Sequence, residues 1–327
     1  MKTSFLTLLA GAFIALSGNA ALANDSTASL DTGELVLVPN EDIALLEENL
    51  FISADKVTVR YLFRNTSEKP ITTVVAFPLP PIDLSEDVGY AIYPKDPVNF
   101  VDFRLWVAGE PHAFETEARA TVAGRDVTET LAAANIPLTT FVEDMQSFDA
   151  MRLRPDLLPP GVMEKLEQEG IAKDDDGYFM PLWTAHVSFY WRQTFPPGET
   201  VEIAHAYKPV PTVTFFTDYD IEAGTLREEA CIDASFARGA ARKLAASANG
   251  ALEATILKYI LTTANNWRGA IGRFHLTIDK GSTDALVSLC RDGIEKTGPT
   301  TFEWTGQDYQ PERDLTVLFV KLLEEAQ

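Results

Sequence analysis

The sequence predicts a mainly β protein: an antiparallel β-sandwich with an acidic helical insertion, followed by a smaller C-terminal α+β portion. Three observations lead to this fold class. Apolar and polar residues alternate with a period of two over residues 56–64 and 184–192, which is typical of half-buried strands. Between about residues 126 and 176 the spacing becomes helical. After residue 224 one more helical segment is followed by further strand patterns.

The N-terminus has the three parts of a secretory signal peptide, predicted over residues 1–23. Lys2 gives a positive start, residues 5–16 form an apolar run, and Ala21 and Ala23 are small residues where a signal peptidase reads them. The run is shorter than the roughly 20 apolar residues that span a bilayer. Cleavage between Ala23 and Asn24 would release a periplasmic or secreted protein with no membrane span. The alternative is an uncleaved N-terminal anchor.

The predicted sandwich domain covers residues 24–223. Its first segment, Asn24 to Gly33, is polar and is expected to be loose. Residues 56–64 and 71–77 flank a turn cluster and are expected to pair as an antiparallel hairpin. Two further strands are predicted at residues 101–107 and 112–120.

The predicted insertion, at about residues 126–176, is both helical and acidic. Asp126 and Glu129 have the spacing of a capping box ahead of an alanine-rich helix. A second helix is predicted over residues 162–169, with Gly170 as its C-terminal cap.

A run of three aspartates, Asp174 to Asp176, followed by glycine resembles a calcium-binding loop. The EF-hand pattern would place its first ligand at Ala172 and its bidentate acid at Trp183, and neither can bind calcium. We therefore interpret the run as a solvated acidic turn, and divalent-cation binding by the insertion is kept as a third functional hypothesis.

The strands at residues 184–192 and 201–207 are expected to form a second hairpin. With their apolar faces aligned, His205 is predicted to be a half-buried strand histidine and His186 to lie on the opposite, polar face. The two histidines are therefore not expected to share a metal ion.

An aromatic cluster precedes and occupies the first of these strands: Trp183, Phe189, Tyr190 and Trp191. Such residues can form a platform for a carbohydrate or peptide. Core packing is the favoured interpretation, because Phe189 and Trp191 fall on the apolar face.

The C-terminal portion is predicted over residues 224–327. Phe236, Ala240 and Leu244 share one face of a helix, and strands are expected at residues 256–261, 274–278 and 315–322.

The sequence contains only two cysteines, Cys231 and Cys290. In an oxidising compartment an isolated pair predicts a disulfide. The bond would close a loop of roughly 60 residues, which the chain-entropy description values at about 4 kcal/mol. The alternative is two buried free thiols.

Composition and charge narrow the range of partners. The chain is 46% hydrophobic and 23% charged, which is typical of a globular protein, and its net charge is −21. Such a charge repels the phosphates of nucleic acids and anionic lipid surfaces. An unknown protein or a small-molecule ligand therefore remains as the expected partner.

The common catalytic motifs are absent from the sequence. It has no glycine-rich dinucleotide or phosphate loop, and no HExxH, GxSxG or CxxC motif. His112 and His275 both lie in strand patterns that point outward. No catalytic residue, cofactor site or metal ligand is predicted.

Several short strings together carry a family resemblance: VRYLFRNT (59–66), VAFPLP (75–80), DVT (126–128), WRQTFP (191–196), KYILTT (258–263), NW (266–267), FE (302–303) and PERDL (311–315). They resemble the exported bacterial family known as domain of unknown function 4424, over nearly the whole mature chain. The resemblance implies a proteobacterial periplasmic protein without an assigned activity, so it supplies no functional residues. The segment ending at Pro80 is also similar to the VIT domain, a β-sandwich of interaction proteins.

The sequence favours a non-enzymatic periplasmic binding or interaction module. The alternative is an envelope-directed hydrolase that uses carboxylates dispersed along the chain. That hydrolase would need a pocket with two close carboxylates, one of them with a raised pKa.

Overall fold

The computed structural model describes residues 25–31, 34–85, 89–90, 99–138 and 155–323. The predicted signal peptide and its cleavage site at Ala23 and Asn24 lie outside the described residues, as does the middle of the predicted insertion. The strands, in chain order, are β1 (Ser26–Asp31), β2 (Glu34–Leu37), β3 (Ile43–Ser53), β4 (Val57–Asn65), β5 (Ile71–Pro78), β6 (Ile82–Asp83), β7 (Gly89–Tyr90), β8 (Arg104–Val107), β9 (Glu110–Pro111), β10 (Glu115–Val122), β11 (Arg125–Asp126), β12 (Ala172–Asp175), β13 (Tyr178–Pro181), β14 (Thr184–Phe195), β15 (Thr200–Tyr207), β16 (Thr212–Phe216), β17 (Leu252–Tyr259), β18 (Ile271–Asp279), β19 (Leu286–Leu289), β20 (Glu295–Lys296), β21 (Thr301–Tyr309) and β22 (Leu315–Lys321). The helices are α1 (Thr128–Ala133), α2 (Val162–Gln168), α3 (Asp218–Glu222), α4 (Thr225–Glu229) and α5 (Ala234–Ala246), with short 3₁₀ helices at Pro155–Leu157 and Thr262–Asn266.

The fold is mainly β, as predicted, and most of the strands lie in three sheets. An eight-stranded sheet has the order β20-β21-β18-β3-β4-β15-β8-β9. A seven-stranded sheet has the order β11-β10-β14-β5-β1-β2, with β6 paired to β14, and a five-stranded sheet has the order β19-β22-β17-β16-β7. Among the described strands, β3 and β18 are the one parallel pair; the other pairs are antiparallel.

The main hydrophobic core lies between the sheets. Alternate residues of β4, with Tyr61 and Phe63 fully buried, belong to one core with Phe77 of β5 and Phe189 of β14. This arrangement follows from the period of two, because one face of each strand is apolar. The aromatic cluster around β14 is largely core, as predicted: Trp183, Phe189 and Trp191 are buried.

Neither predicted hairpin forms, because each pair of strands is divided between two sheets. β4 pairs with β15 in the eight-stranded sheet, whereas β5 pairs with β14 in the seven-stranded sheet. Two chain corners therefore lie side by side, and buried Asn65 joins them. Its amide donates to the carbonyl oxygens of Lys69 and Phe195, both at 2.8 Å, and accepts from Ser67. A period of two determines which face is buried but not which strand is the partner.

The expectation of a loose terminus at residues 24–33 was wrong for the residues that the structure describes. Asp25, Ser26 and Thr27 are buried, and β1 pairs with β5 and β2. Several of their polar groups make hydrogen bonds inside the protein. Asn266 donates to the hydroxyl oxygen of Ser26 at 2.8 Å, and the indole N–H of Trp267 donates to the backbone carbonyl of Asp25 at 2.6 Å.

The two predicted helices of the insertion form, as α1 and α2. The capping differs slightly from the prediction, since Asp126 accepts from the backbone N–H of Thr128 rather than acting with Glu129. Gly170 follows α2 with a φ of 65°, a conformation that favours glycine.

The C-terminal portion contributes strands to sheets that begin earlier in the chain. β18 and β21 belong to the same sheet as β3 and β4, while β17 and β22 pair with each other beside β16. One face of the five-stranded sheet packs in the main core. The helix α5 covers its opposite face and forms a second core that includes Phe236, Ala240 and Leu244. The division of the sequence at residues 223 and 224 stays a prediction.

The described helices are too short or too polar to cross a bilayer.

Candidate functional site

A cleft of about 840 Å³ lies between β19 and the end of β21, beside the start of α5. We call it the Arg291 cleft. Its volume falls within the range of roughly 300–1,000 Å³ that is usual for small-molecule sites. Apolar side chains form much of its wall, among them Phe236, Leu286, Leu289, Ile294 and Phe302.

The lining of the cleft carries a small excess of positive charge, in contrast to the net charge of the whole chain. Its lining holds four cationic and three anionic side chains, in a protein whose net charge is −21: Lys280, Arg291, Lys296 and Arg313 against Asp233, Asp292 and Glu312. A locally positive, concave region raises the concentration of anions near it.

Arg291 is held by aromatic side chains and not by a carboxylate. Its guanidinium carbon lies 4.4 Å from the ring centre of Trp304 and 5.0 Å from that of Tyr309, and it donates to the Tyr309 hydroxyl. Among the described residues no carboxylate pairs with it, and its buried Nε has no hydrogen-bond partner. A buried donor without a partner is costly, so an acceptor supplied by a ligand would be favourable.

The aromatic support is itself fixed by the backbone. A Cβ atom at Gly306 would come within 2.4 Å of the Trp304 ring, so the missing side chain leaves room for that ring to lie flat. Asp308 has a φ of 47°, and the next residue, Tyr309, packs 5.1 Å from both Phe274 and Trp304. Aspartate tolerates this left-handed conformation better than most residues.

Lys280 adds a second cation whose charged form is disfavoured. Its ammonium group donates to the carbonyl oxygens of Thr283, at 2.8 Å, and Ala285. Burial lowers the pKa of Lys280, and the positive charges of Lys296 and Lys243 lower it further. An anion bound nearby would relieve this repulsion.

A disulfide bond fixes one wall of the cleft. The structure joins Cys231 to Cys290, which links the turn between α4 and α5 to the residue before Arg291. The Ser288 hydroxyl donates to the carbonyl of Ala230 at 2.9 Å, across the same junction. Asp233 begins α5 by accepting from the backbone N–H of Phe236.

A second group of ionisable side chains lies wholly inside the core. The Nε2 atom of His205 is 3.0 Å from a carboxylate oxygen of Asp25, and both side chains are fully buried. Nearby, the Tyr61 and Tyr259 hydroxyls lie 3.1 Å apart, and Glu48 is also buried. Burial raises the pKa of Asp25, and the attraction of His205 opposes this in part. These groups are sealed from solvent, so a substrate does not reach them in this conformation.

The histidines singled out in the sequence do not come together. His205 is fully buried, deeper than predicted, whereas His186 lies in the other sheet, 2.9 Å from the Thr121 hydroxyl. His112 is exposed and His275 faces outward, 3.6 Å from Glu303. In the described ranges no group of three or more potential metal ligands occurs.

Sequence reasoning missed the Arg291 cleft. Its central residues come from segments that lie apart in the sequence, and no motif marks them. The available signal was weak: an arginine directly after a cysteine, and three aromatic residues, Phe302, Trp304 and Tyr309, on one C-terminal strand.

Residues 23–318 match the family described as domain of unknown function (DUF4424). The chain belongs to this family. The resemblance inferred from its short motifs is thereby confirmed, while the VIT likeness stays a prediction. No curated protein sequence matches the chain significantly.

Among solved structures, the chain is similar to a Legionella pneumophila protein proposed to bind nutrients. The two are 15% identical, with a TM-score of 0.44, over 92% of this chain and 72% of the other. An M1 zinc metallopeptidase from Deinococcus radiodurans is 7% identical with a TM-score of 0.27, and 87% of this chain covers 44% of the peptidase. Both likenesses are too weak to support an argument about function.

Proposed function

We propose that the protein is a binding module that takes up a small ligand with an acidic group in the Arg291 cleft. The observation that carries this proposal is the guanidinium of Arg291. It stacks on Trp304 and Tyr309, has no carboxylate partner in the described part of the chain and keeps one buried donor unused. The apolar wall suits a ligand whose remaining part is hydrophobic.

The structure offers less support for the hydrolase alternative. The described carboxyl group whose pKa burial raises is Asp25, and it lies in the closed core and not in the cleft. A catalytic carboxyl group must be within hydrogen-bond reach of its substrate. We therefore favour binding over hydrolysis.

The test is a titration of the protein, beginning at Asn24, with dicarboxylates, aromatic carboxylates and phosphate monoesters, followed by calorimetry and thermal shift. We expect saturable binding of at least one class. Substitution R291M should weaken it by roughly tenfold or more, since a charge-assisted hydrogen bond contributes about 1.5–3 kcal/mol. The control is R192M, an exposed arginine on the seven-stranded sheet outside the cleft. Equal binding by both variants, or no binding at all, would contradict the proposal.

A second variant tests the geometry without changing any charge. In G306A the new methyl group displaces the far edge of the Trp304 ring, and therefore the surface on which Arg291 rests. We expect weaker ligand binding with little change in thermal stability, because a side chain rather than the backbone moves. Wild-type affinity in a folded G306A protein would show that the stack does not position Arg291.

We also propose that the module works outside the cytoplasm, after cleavage between Ala23 and Asn24. The support is the signal-like pattern of residues 1–23 together with the family's implied export. N-terminal sequencing of the protein recovered from a periplasmic extract should begin at Asn24. Recovery of the uncut chain with the cytoplasmic fraction would overturn the proposal.

A further inference from the structure

We propose that a groove on the outer face of the eight-stranded sheet is a second binding site, for a neutral, hydroxyl-rich ligand of the saccharide class. The groove has a volume of about 590 Å³ and shares no lining residue with the Arg291 cleft. It is therefore a separate site, and the inference does not depend on the function proposed above.

Strand register brings five side chains into one row across the groove. Ala204 is opposite Trp106 on one side and opposite Arg60 on the other, and the row continues through Asn49 to His275. Directly opposed residues share a face of the sheet. The row therefore crosses five neighbouring strands on the face that points away from the core.

The floor and the walls of the groove have different chemistry. Small side chains on β15, Ala204 and Ala206, form the low point, with Trp106 on one side and Arg60 on the other. Two strand spacings, about 10 Å, separate the backbones that carry the two walls. The groove thus has the indole ring of Trp106 on one side and the planar polar group of Arg60 on the other. An indole presents both an apolar body and a hydrogen-bond donor.

The polar groups of this row have unused hydrogen-bonding capacity. Within the described residues, the side chains of Trp106 and Asn49 make no hydrogen bond. Arg60 approaches Glu202 only to 3.8 Å, which is beyond hydrogen-bond distance. The amide of Asn49 can both donate and accept, as hydroxyl groups require.

Charge and topology select the class of ligand. Arg60 lies 3.8 Å from Glu202 and His275 lies 3.6 Å from Glu303, whereas Arg291 has no carboxylate partner among the described residues. The groove therefore favours an anion less than the Arg291 cleft does. An extended peptide gains affinity by adding to a sheet edge. This groove is inside the sheet, with β9 and β21 beyond its outer strands. A saccharide fits these constraints best, because polar side chains can bind its hydroxyl groups while its ring packs against an aromatic side chain.

The experiment is a titration of the protein, beginning at Asn24, with maltotetraose, cellotetraose and chitotetraose, followed by tryptophan fluorescence and calorimetry. We expect saturable binding of at least one of these. W106A and N49A should each weaken it by roughly tenfold or more. The matched control is Y219A, which removes an exposed aromatic ring on α3, away from the groove, and R291M should also leave this binding unchanged.

N49A keeps the test decisive if W106A unfolds, since it removes only an amide from the sheet surface. Three results would overturn the inference: no saturable binding of any neutral oligosaccharide at millimolar concentration, unchanged affinity in folded N49A, or tighter binding of an oligouronate or an extended peptide than of the neutral sugars.

Discussion

At the residue scale, the most informative feature is the pairing of Asp25 with His205. A fully buried carboxyl group is unfavourable unless it is paired or hydrogen-bonded, and here a histidine lies 3.0 Å away. The backbone carbonyl of Asp25 also accepts a hydrogen bond from the indole N–H of Trp267. The start of the described chain is thus fixed by specific polar contacts in the core, and this explains why a polar segment is buried.

The Asp25 pair predicts a particular pH dependence of stability. Because burial raises the pKa of Asp25 in the folded state, its contribution to stability is fully present below the ordinary carboxyl pKa and is lost as pH rises through the folded pKa. D25N cannot ionise. The free energy of unfolding of D25N, relative to wild type, should therefore rise between acidic and neutral pH.

Denaturant unfolding of both proteins across that range checks this, with His205, Glu48, Tyr61 and Tyr259 as the ionisable neighbours. Asp126 supplies a control of opposite sign. Hydrogen bonds from Thr128, together with Arg119, lower its pKa, so its contribution is present above the ordinary carboxyl pKa and is lost as pH falls. A flat difference for D25N, or the same slope for D25N and D126N, would contradict this account.

At the scale of elements, two connections decide how neighbouring parts are joined. Buried Asn65 holds the two corners where strands change sheet, through four hydrogen bonds. The disulfide between Cys231 and Cys290 holds the α4–α5 junction against the end of β19. Both connections link segments that are distant in sequence, Asn65 to Phe195 and Cys231 to Cys290. Only the disulfide, being covalent, also restricts the unfolded chain.

Removing the disulfide should destabilise the protein and loosen the Arg291 cleft. The double variant C231A/C290A loses a cross-link between positions 59 residues apart. The chain-entropy description gives a cost of about 4 kcal/mol. Denaturant unfolding measures this loss, and calorimetry should show weaker binding of the acidic ligand.

Reduction of the wild-type protein is the matched control and should reproduce both effects. An unfolding midpoint that is the same with and without the disulfide would show that the bond does not constrain the chain. Unchanged ligand affinity in the folded double variant would show that the cleft wall is held by Ser288 and its neighbours alone.

At the scale of the whole molecule, the sheets join regions that the sequence pattern separates. β18, from the C-terminal portion, is parallel to β3 and lies between it and β21. Leu276 and Ile278 of β18 belong to the same core as Tyr61 and Phe63. The eight-stranded sheet is therefore complete only when both parts of the chain are present.

We expect a fragment of residues 24–223 not to fold cooperatively by itself. Without β18, the backbone groups along one side of β3 lose their partners, and apolar residues such as Phe63 lose packing against Trp267. Urea unfolding and amide NMR dispersion should distinguish the fragment from the chain of residues 24–327. Addition of a separate 224–327 fragment should restore cooperative unfolding. A well-dispersed spectrum from the first fragment alone would instead support the predicted boundary as a boundary between folding units.

The sequence by itself determined the mainly β class, the strands β4, β14 and β15, the helix α5 and the family, because alternation and helical spacing are local properties. It also placed Phe189 and Trp191 in the core. Only the tertiary structure decided strand partners, since β4 and β5 lie in different sheets although their patterns fit a hairpin equally well. Contacts and strand registers between residues far apart in the chain produce three further features: the burial of Asp25, the stacking of Arg291 on aromatic rings, and the row from Trp106 to His275. The local sequence pattern does not reveal such contacts, and both proposed sites are built from residues that only these contacts bring together.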